Sequence, residues 1–203
     1  KKNKFGMDRE TALAVYRAAK AMAHIEVRGI DCHIGSQITE AGPFEDALNS
    51  IKTLIQQLKS ELGIQIQYID MGGGLGITYA DETPPSLKEY AQAFMENLEG
   101  MDLTLILEPG RVLVGNAGIL VTRVLYQKAG KGKNFIIVDA GMNDLARPSL
   151  YGAYHEIVPV VTRGASKIKC DIVGPICETG DFLAQDRIME KPKAGDYLAV
   201  MSA

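Results

Sequence analysis

Leu103-Thr104-Leu105-Ile106-Leu107-Glu108-Pro109-Gly110-Arg111 is an apolar run that ends abruptly in a carboxylate and a guanidinium. Four of the five run residues are aliphatic, the pattern of a parallel strand covered on both faces, and Pro109 and Gly110 stop it directly after the glutamate. Glu108 and Arg111 are therefore expected at the C-terminal end of a buried parallel strand, where α/β barrels carry out chemistry. For an isolated pair the competing reading is a buried carboxylate and guanidinium that neutralise each other. The rest of the sequence weighs against it.

Toward the N-terminus, helical and strand periods alternate. Asp8 stands as a cap before the apolar stripe of Thr11 to Lys20, Val27 to Ile34 reads as a first strand, and Phe44 to Leu62 as a long amphipathic helix. Ile66 to Met71 is the second strand, ending at Gly72-Gly73-Gly74, and Pro84 and Pro85 introduce a helix over Ser86 to Leu98 before the third strand, Leu103 to Leu107. This βαβαβ order specifies an α/β fold. Past the turn-like Gly115-Asn116-Ala117-Gly118 the segments become β-rich: Ile119 to Gln127, Asn134 to Asp139, Glu156 to Thr162, Lys167 to Val173 and Asp196 to Met201. Three parallel strands fall short of the eight strands and roughly 250 residues of a closed barrel. Tyr197 to Ala203 also stops inside a strand pattern. The expected architecture is the C-terminal part of a (β/α)8 barrel over residues 1–118 followed by a β-rich, sandwich-like domain over 119–203, both partial. Such a fragment is expected to leave sheet edges unpaired.

The 203 residues are 46% hydrophobic and 23% charged, ordinary for a globular chain with a substantial core. A formal net charge of -3 with scattered Lys and Arg gives no footprint for nucleic acid or an anionic membrane surface. The sequence has no run of about 18 apolar residues and no signal-peptide pattern, so a cytoplasmic location is expected. Cys32, Cys170 and Cys177 have no metal-ligand spacing and cannot all pair, which fits a reducing compartment and implies no metal.

Candidate chemistry collects at the strand ends. Gly72, Gly73 and Gly74 could present backbone N–H groups to a phosphate or could form a plain tight turn, and they belong to no Walker loop. His33 and Ser36 close the first strand at the same end as the triple glycine and Glu108, whereas His24 and His155 read as structural. Downstream, Arg147 lies in a long polar excursion reaching Tyr151 and suits a carboxylate partner, although a solvated arginine is the ordinary case. Cys177 stands beside Glu178 in a Gly/Pro-rich turn, a setting for an accessible rather than buried thiol.

His33-Ile-Gly-Ser-Gln37, Gly72-Gly-Gly-Leu-Gly76, Glu108-Pro-Gly-Arg111, Arg147-Pro-Ser-Leu-Tyr151 and Gly174-Pro-Ile-Cys-Glu178, in this order, resemble the diaminopimelate decarboxylases. That family uses pyridoxal phosphate on an alanine-racemase-like barrel with a C-terminal β domain. The resemblance implies that Gly72, Gly73, Gly74 and Ser36 hold the cofactor phosphate, that His33 stacks on the pyridine ring, and that Glu108 pairs with the ring nitrogen. Pro109 and Gly110 belong to the same cofactor-binding stretch. Arg111 is implied for both substrate carboxylate and phosphate, with Arg147, Tyr151 and Glu178 as further substrate contacts, the last for a distal ammonium. Cys177 resembles the family's proton donor, reaching the partner's site in a homodimer with shared active sites. The implied reaction converts meso-diaminopimelate, a small amino acid, to L-lysine. The family's cofactor lysine lies in a segment absent from this sequence, and a family tyrosine lies just past its last residue, so this piece alone is expected to be inactive. Lys133 and Lys169 are read as preceding strands, and Lys20, Lys52, Lys59 and Lys88 as lying on or beside helices. A related decarboxylase of ornithine, arginine or carboxynorspermidine is the second enzymatic reading. A truncated homologue without catalysis is the non-enzymatic one.

Overall fold

The computed structural model describes residues 4–203, which divide into two compact units, 4–77 with Thr83–Leu113, and Thr78–Glu82 with Val114–Ala203. The first unit runs α1 (Arg9–Lys20), β1 (Gly29–Asp31), α2 (Gly42–Leu62), β2 (Tyr68–Asp70), α3 (Leu87–Leu98) and β3 (Thr104–Ile106). All three strands are parallel in the order β1-β2-β3, as the alternating pattern demands. Each helix starts or stops on recognisable chemistry. Asp8 Oδ1 accepts the Thr11 N–H at 2.8 Å, Ser86 and Glu89 form a reciprocal capping box, and Gly63 ends α2 at φ 60°. Among the described residues no helix is long and apolar enough to cross a membrane.

The core of this unit is an aromatic knot laid on the sheet. Phe44 of α2 meets Tyr90 of α3 edge-on at 4.9 Å between centroids, Tyr90 meets Phe94 at 5.0 Å, and Phe44, Leu48, Leu58, Ile69, Met71 and Phe94 are fully or almost fully buried. The expectation that Leu103 to Leu107 is covered on both faces is corrected here. Leu103, Leu105 and Leu107 pack on the core, whereas Thr104 and Ile106 point the other way and are exposed, Ile106 at 40%. Period-two alternation puts one half of any strand on each face, and only the helical face is covered within this unit. Asp31, Asp70 and Ile106 are register neighbours across the sheet.

The short helix α4 (Arg111–Val114) and a 3₁₀ turn (Gly115–Ala117) lead into the second unit. Its elements are β4 (Ile119–Ala129), β5 (Asn134–Val138), α5 (Arg147–Tyr151), β6 (Ile157–Pro159), β7 (Lys167–Val173), β8 (Phe182–Glu190) and β9 (Tyr197–Met201). The strands form one six-stranded sheet in the order β6-β9-β4-β5-β7-β8, antiparallel except for the parallel β5–β7 pair. β4 serves both halves: its first part pairs with β9 and its second with β5, with a register shift between Val124 and Tyr126.

The structure departs from the sequence reading at four places in this unit. β8 is not among the expected strands: Asp186 sits at φ 55° opposite a register shift in β7, so the segment carries no clean alternation. The polar excursion from Asp139 contains a helix, α5, opened by Pro148 near its N-terminus and closed by Gly152 at φ 60°. Lys169 lies within β7 rather than before it, and the strand expected over Glu156 to Thr162 shrinks to Ile157–Pro159.

Candidate active site

In the first unit, three loops at the C-terminal ends of β1, β2 and β3 interlock. Gly72 accepts the Glu108 N–H at 2.8 Å, and Gly74 accepts the Ile38 N–H at 2.9 Å. The glycines have a packing reason. A Cβ on Gly73 would collide with the Glu108 carbonyl oxygen, one on Gly74 (φ +106°) with the Gly35 carbonyl oxygen, and one on Gly72 (φ +65°) would lie 2.7 Å from His33 Nδ1. The His33 ring therefore rests against bare Gly72 backbone. Asp70 Oδ1 accepts the Gly72 N–H at 2.8 Å, while among the described residues no acceptor takes the N–H of Gly73 or Gly74.

Around this knot, His33, Ser36, Glu108, Pro109 and Gly110 are exposed and Arg111 is half-buried. Gln37 (φ 57°) grips both backbone groups of Ile77: its Nε2 donates to the Ile77 carbonyl at 2.5 Å and its Oε1 accepts the Ile77 N–H at 3.2 Å. The same Oε1 accepts from Arg111 Nη1 at 3.0 Å, which gives the guanidinium a direction. The competing reading of a buried Glu108–Arg111 pair fails, because Glu108 is exposed. Sequence reasoning missed Asp31 and Asp70, whose carboxylate oxygens lie with that of Glu108 within 4.8 Å of one another. The signal was available, since Gly29-Ile-Asp31 and Tyr68-Ile-Asp70 end their strands as Thr104-Leu-Ile106 does, two residues before Glu108. Such a trio favours a cation opposite it.

In the second unit, Arg147 opens α5. Its Nη1 lies 3.0 Å from His155 Nε2 and its guanidinium carbon 4.8 Å from the centre of the Tyr79 ring. Tyr151, one turn on, is 76% exposed. Ser149 Oγ donates to the Gly180 carbonyl at 2.6 Å and so ties the helix to the loop that bears Cys177 and Glu178, both exposed. That loop is pinned from beneath by Asp181, itself 3% exposed, whose carboxylate accepts the Met142 and Ile176 N–H groups at 2.6 Å each. Sequence reasoning gave Asp181 no role, because a buried carboxylate satisfied by backbone N–H groups has no sequence signature. Cys170 is the contrasting thiol: burial, with the nearby Asp171 carboxylate, pushes it up to about 11, which leaves it inert. Several lysines are already engaged. Lys133 pairs with Asp171 at 2.7 Å, Lys169 with Asp186 at 3.1 Å, Lys52 caps the Asn97 carbonyl at 2.8 Å, and Lys20 reaches the Leu62 carbonyl.

Comparison with known proteins gives one pattern. The family profile described as pyridoxal-dependent decarboxylase, pyridoxal binding domain, matches residues 1–115. A diaminopimelate decarboxylase of Pseudomonas aeruginosa is 52% identical over 203 residues, covering 100% of this chain and 48% of that protein. A crystallised protein of Aquifex aeolicus superposes with a TM-score of 0.94 at 49% identity, over 98% of this chain and 50% of the other. A Helicobacter pylori diaminopimelate decarboxylase solved in complex with L-lysine superposes at 0.91 and 40% identity, over 100% of this chain and 50% of that one. The chain thus spans about half the length of the curated relatives it matches.

Proposed function

Because the chain belongs to the pyridoxal-dependent decarboxylase family, we propose that it forms part of a pyridoxal-phosphate enzyme that decarboxylates meso-diaminopimelate to L-lysine. The observation that carries this reading is the interlocked knot of three strand-end loops, which presents unused Gly73 and Gly74 N–H groups together with an exposed Glu108 carboxylate. Those groups fit a phosphorylated, protonated heterocycle. In this reading residues 1–118 are the later part of a (β/α)8 barrel and residues 119–203 the start of a β domain.

Bound pyridoxal phosphate supplies an electron sink for the pair released as carbon dioxide departs. The chain's own residues do the rest. Gly72, Gly73, Gly74 and Ser36 bind the phosphate, with Pro109 and Gly110 shaping the same wall. His33, braced on Gly72, would stack on the ring. Glu108 accepts the N–H of the ring nitrogen and holds that proton in place, aided by the neighbouring Asp31 and Asp70 charges. Arg111, steered by Gln37, reaches a substrate carboxylate and the phosphate. Arg147 and Tyr151 take carboxylate oxygens, and Glu178 takes the distal ammonium. Cys177, on its accessible loop, delivers the proton to carbon, acting on the partner's site in a homodimer. No lysine of this chain is assigned to the cofactor.

In the complete enzyme, Glu108→Gln lowers kcat by about two orders of magnitude or more while thermal unfolding shifts little. An equal loss of fold and turnover makes Glu108 structural. Glu178 and Arg147 suit a substrate charged at both ends, so the complete enzyme prefers diaminopimelate to ornithine or arginine; equal turnover of ornithine overturns the substrate assignment. If turnover is absent and borohydride reduction with the cofactor leaves no lysine adduct, the non-catalytic reading is correct.

A further inference from the structure

His155 is fully buried, and both of its ring nitrogens have partners. Nδ1 lies 3.0 Å from the Met201 carbonyl oxygen and Nε2 lies 3.0 Å from Arg147 Nη1. A carbonyl only accepts and a guanidinium only donates, so the ring carries its proton on Nδ1 and offers a lone pair at Nε2. One tautomer of the neutral imidazole satisfies both contacts. The protonated ring would set N–H against N–H at Arg147.

The mount of this ring is rigid. His155 precedes β6, which pairs with β9, and the Met201 N–H donates to the Glu156 carbonyl at 2.8 Å beside the imidazole bond to Met201. Arg187 Nη2 donates to the His155 carbonyl at 3.2 Å, and its guanidinium carbon lies 3.6 Å from the centre of the adjacent Tyr154 ring. Tyr79 completes the arrangement, its ring meeting His155 edge-on at 5.1 Å and carrying the Arg147 guanidinium on its face. Arg147 is thus held by a lone pair from one side and a π face from another, which fixes where its remaining N–H groups point.

We propose that His155 is a positioning residue for Arg147, its neutral Nδ1–H imidazole aiming the guanidinium at a carboxylate of the substrate. This rests on the reading of Arg147 as a substrate contact. Two cations meet His155, Arg147 on its ring and Arg187 on its carbonyl, with the Tyr79 and Tyr154 phenols alongside.

The test uses the complete holoenzyme with meso-diaminopimelate. His155→Phe keeps the ring and its packing on Tyr79 but removes the acceptor, and raises KM about tenfold with a much smaller change in kcat. His155→Gln restores an acceptor toward Arg147 and brings KM back to within about threefold of the parent. The effect of His155→Phe on KM disappears in an Arg147→Ala background; it persists there if the proposal is wrong. An unchanged KM in His155→Phe, or equal losses in both His155 variants, also overturns the proposal. If His155→Phe fails to fold, KM of His155→Gln in the parent and in the Arg147→Ala background decides alone. The underlying reading fails separately: Arg147→Ala with an unchanged KM removes Arg147 from the substrate site.

Discussion

At the scale of single residues, backbone proximity governs this protein as much as side-chain chemistry does. Gly73 is required because the Glu108 carbonyl occupies the space a side chain would need, so the residue that forms the loop also seats the carboxylate beside it. Gly73→Ala in the complete protein is expected to cost about 1–3 kcal/mol as the two loops separate. Gly110→Ala is the control, since a Cβ there meets nothing within 4 Å, and its effect stays within about 0.5 kcal/mol. Urea midpoints of the two variants check the pair, and equal midpoints contradict the interlock. The triple glycine was legible in the sequence as a feature needing a reason. The reason was not, because it depends on loops more than thirty residues apart coming within contact distance.

Among the elements, local capping signals and apolar periods were read well. The helix expected over Ser86 to Leu98 forms over Leu87–Leu98 with Ser86 as its cap, and β7 occupies Lys167–Val173 as expected. The capping box makes a direct prediction: Ser86→Ala removes the acceptor of the Glu89 N–H at 3.2 Å and costs about 1 kcal/mol, measurable as a lower thermal midpoint. The Ser86 hydroxyl and N–H hold the Glu89 carboxyl below its ordinary value, so the box also weakens as acid protonates Glu89. β8 escaped detection for the opposite reason. Its Leu183 and Ala184 are both buried and its Ile188 is 71% exposed, so the bulge at Asp186 erases the alternation that marks a strand. Likewise, α5 is too short to show a helical period, and the pairing of Arg147 with His155 was hidden inside it.

For the whole molecule, stability at high pH depends on a buried thiol. Cys170 is pushed up to about 11 from an ordinary 9.0, mainly by burial, so the unfolded chain loses this proton before the folded one does. Its contribution is complete below pH 9 and is lost as the pH rises from there toward 11. Guanidinium midpoints from pH 8 to pH 11 fall more steeply for the parent than for Cys170→Ala, and parallel slopes rule this out. A second whole-molecule property follows from the sheet of the second unit, where β4 at Ile119–Ala129 pairs with β9 at Tyr197–Met201. The central strand waits for a partner that begins only at Tyr197, so during synthesis β4 emerges from the ribosome with one edge unpaired. In the first unit, β1, β2 and β3 each pair with the next strand in the chain. Translation therefore delivers the two units in sequence, and the interval before β9 appears is when the nascent chain most needs a chaperone.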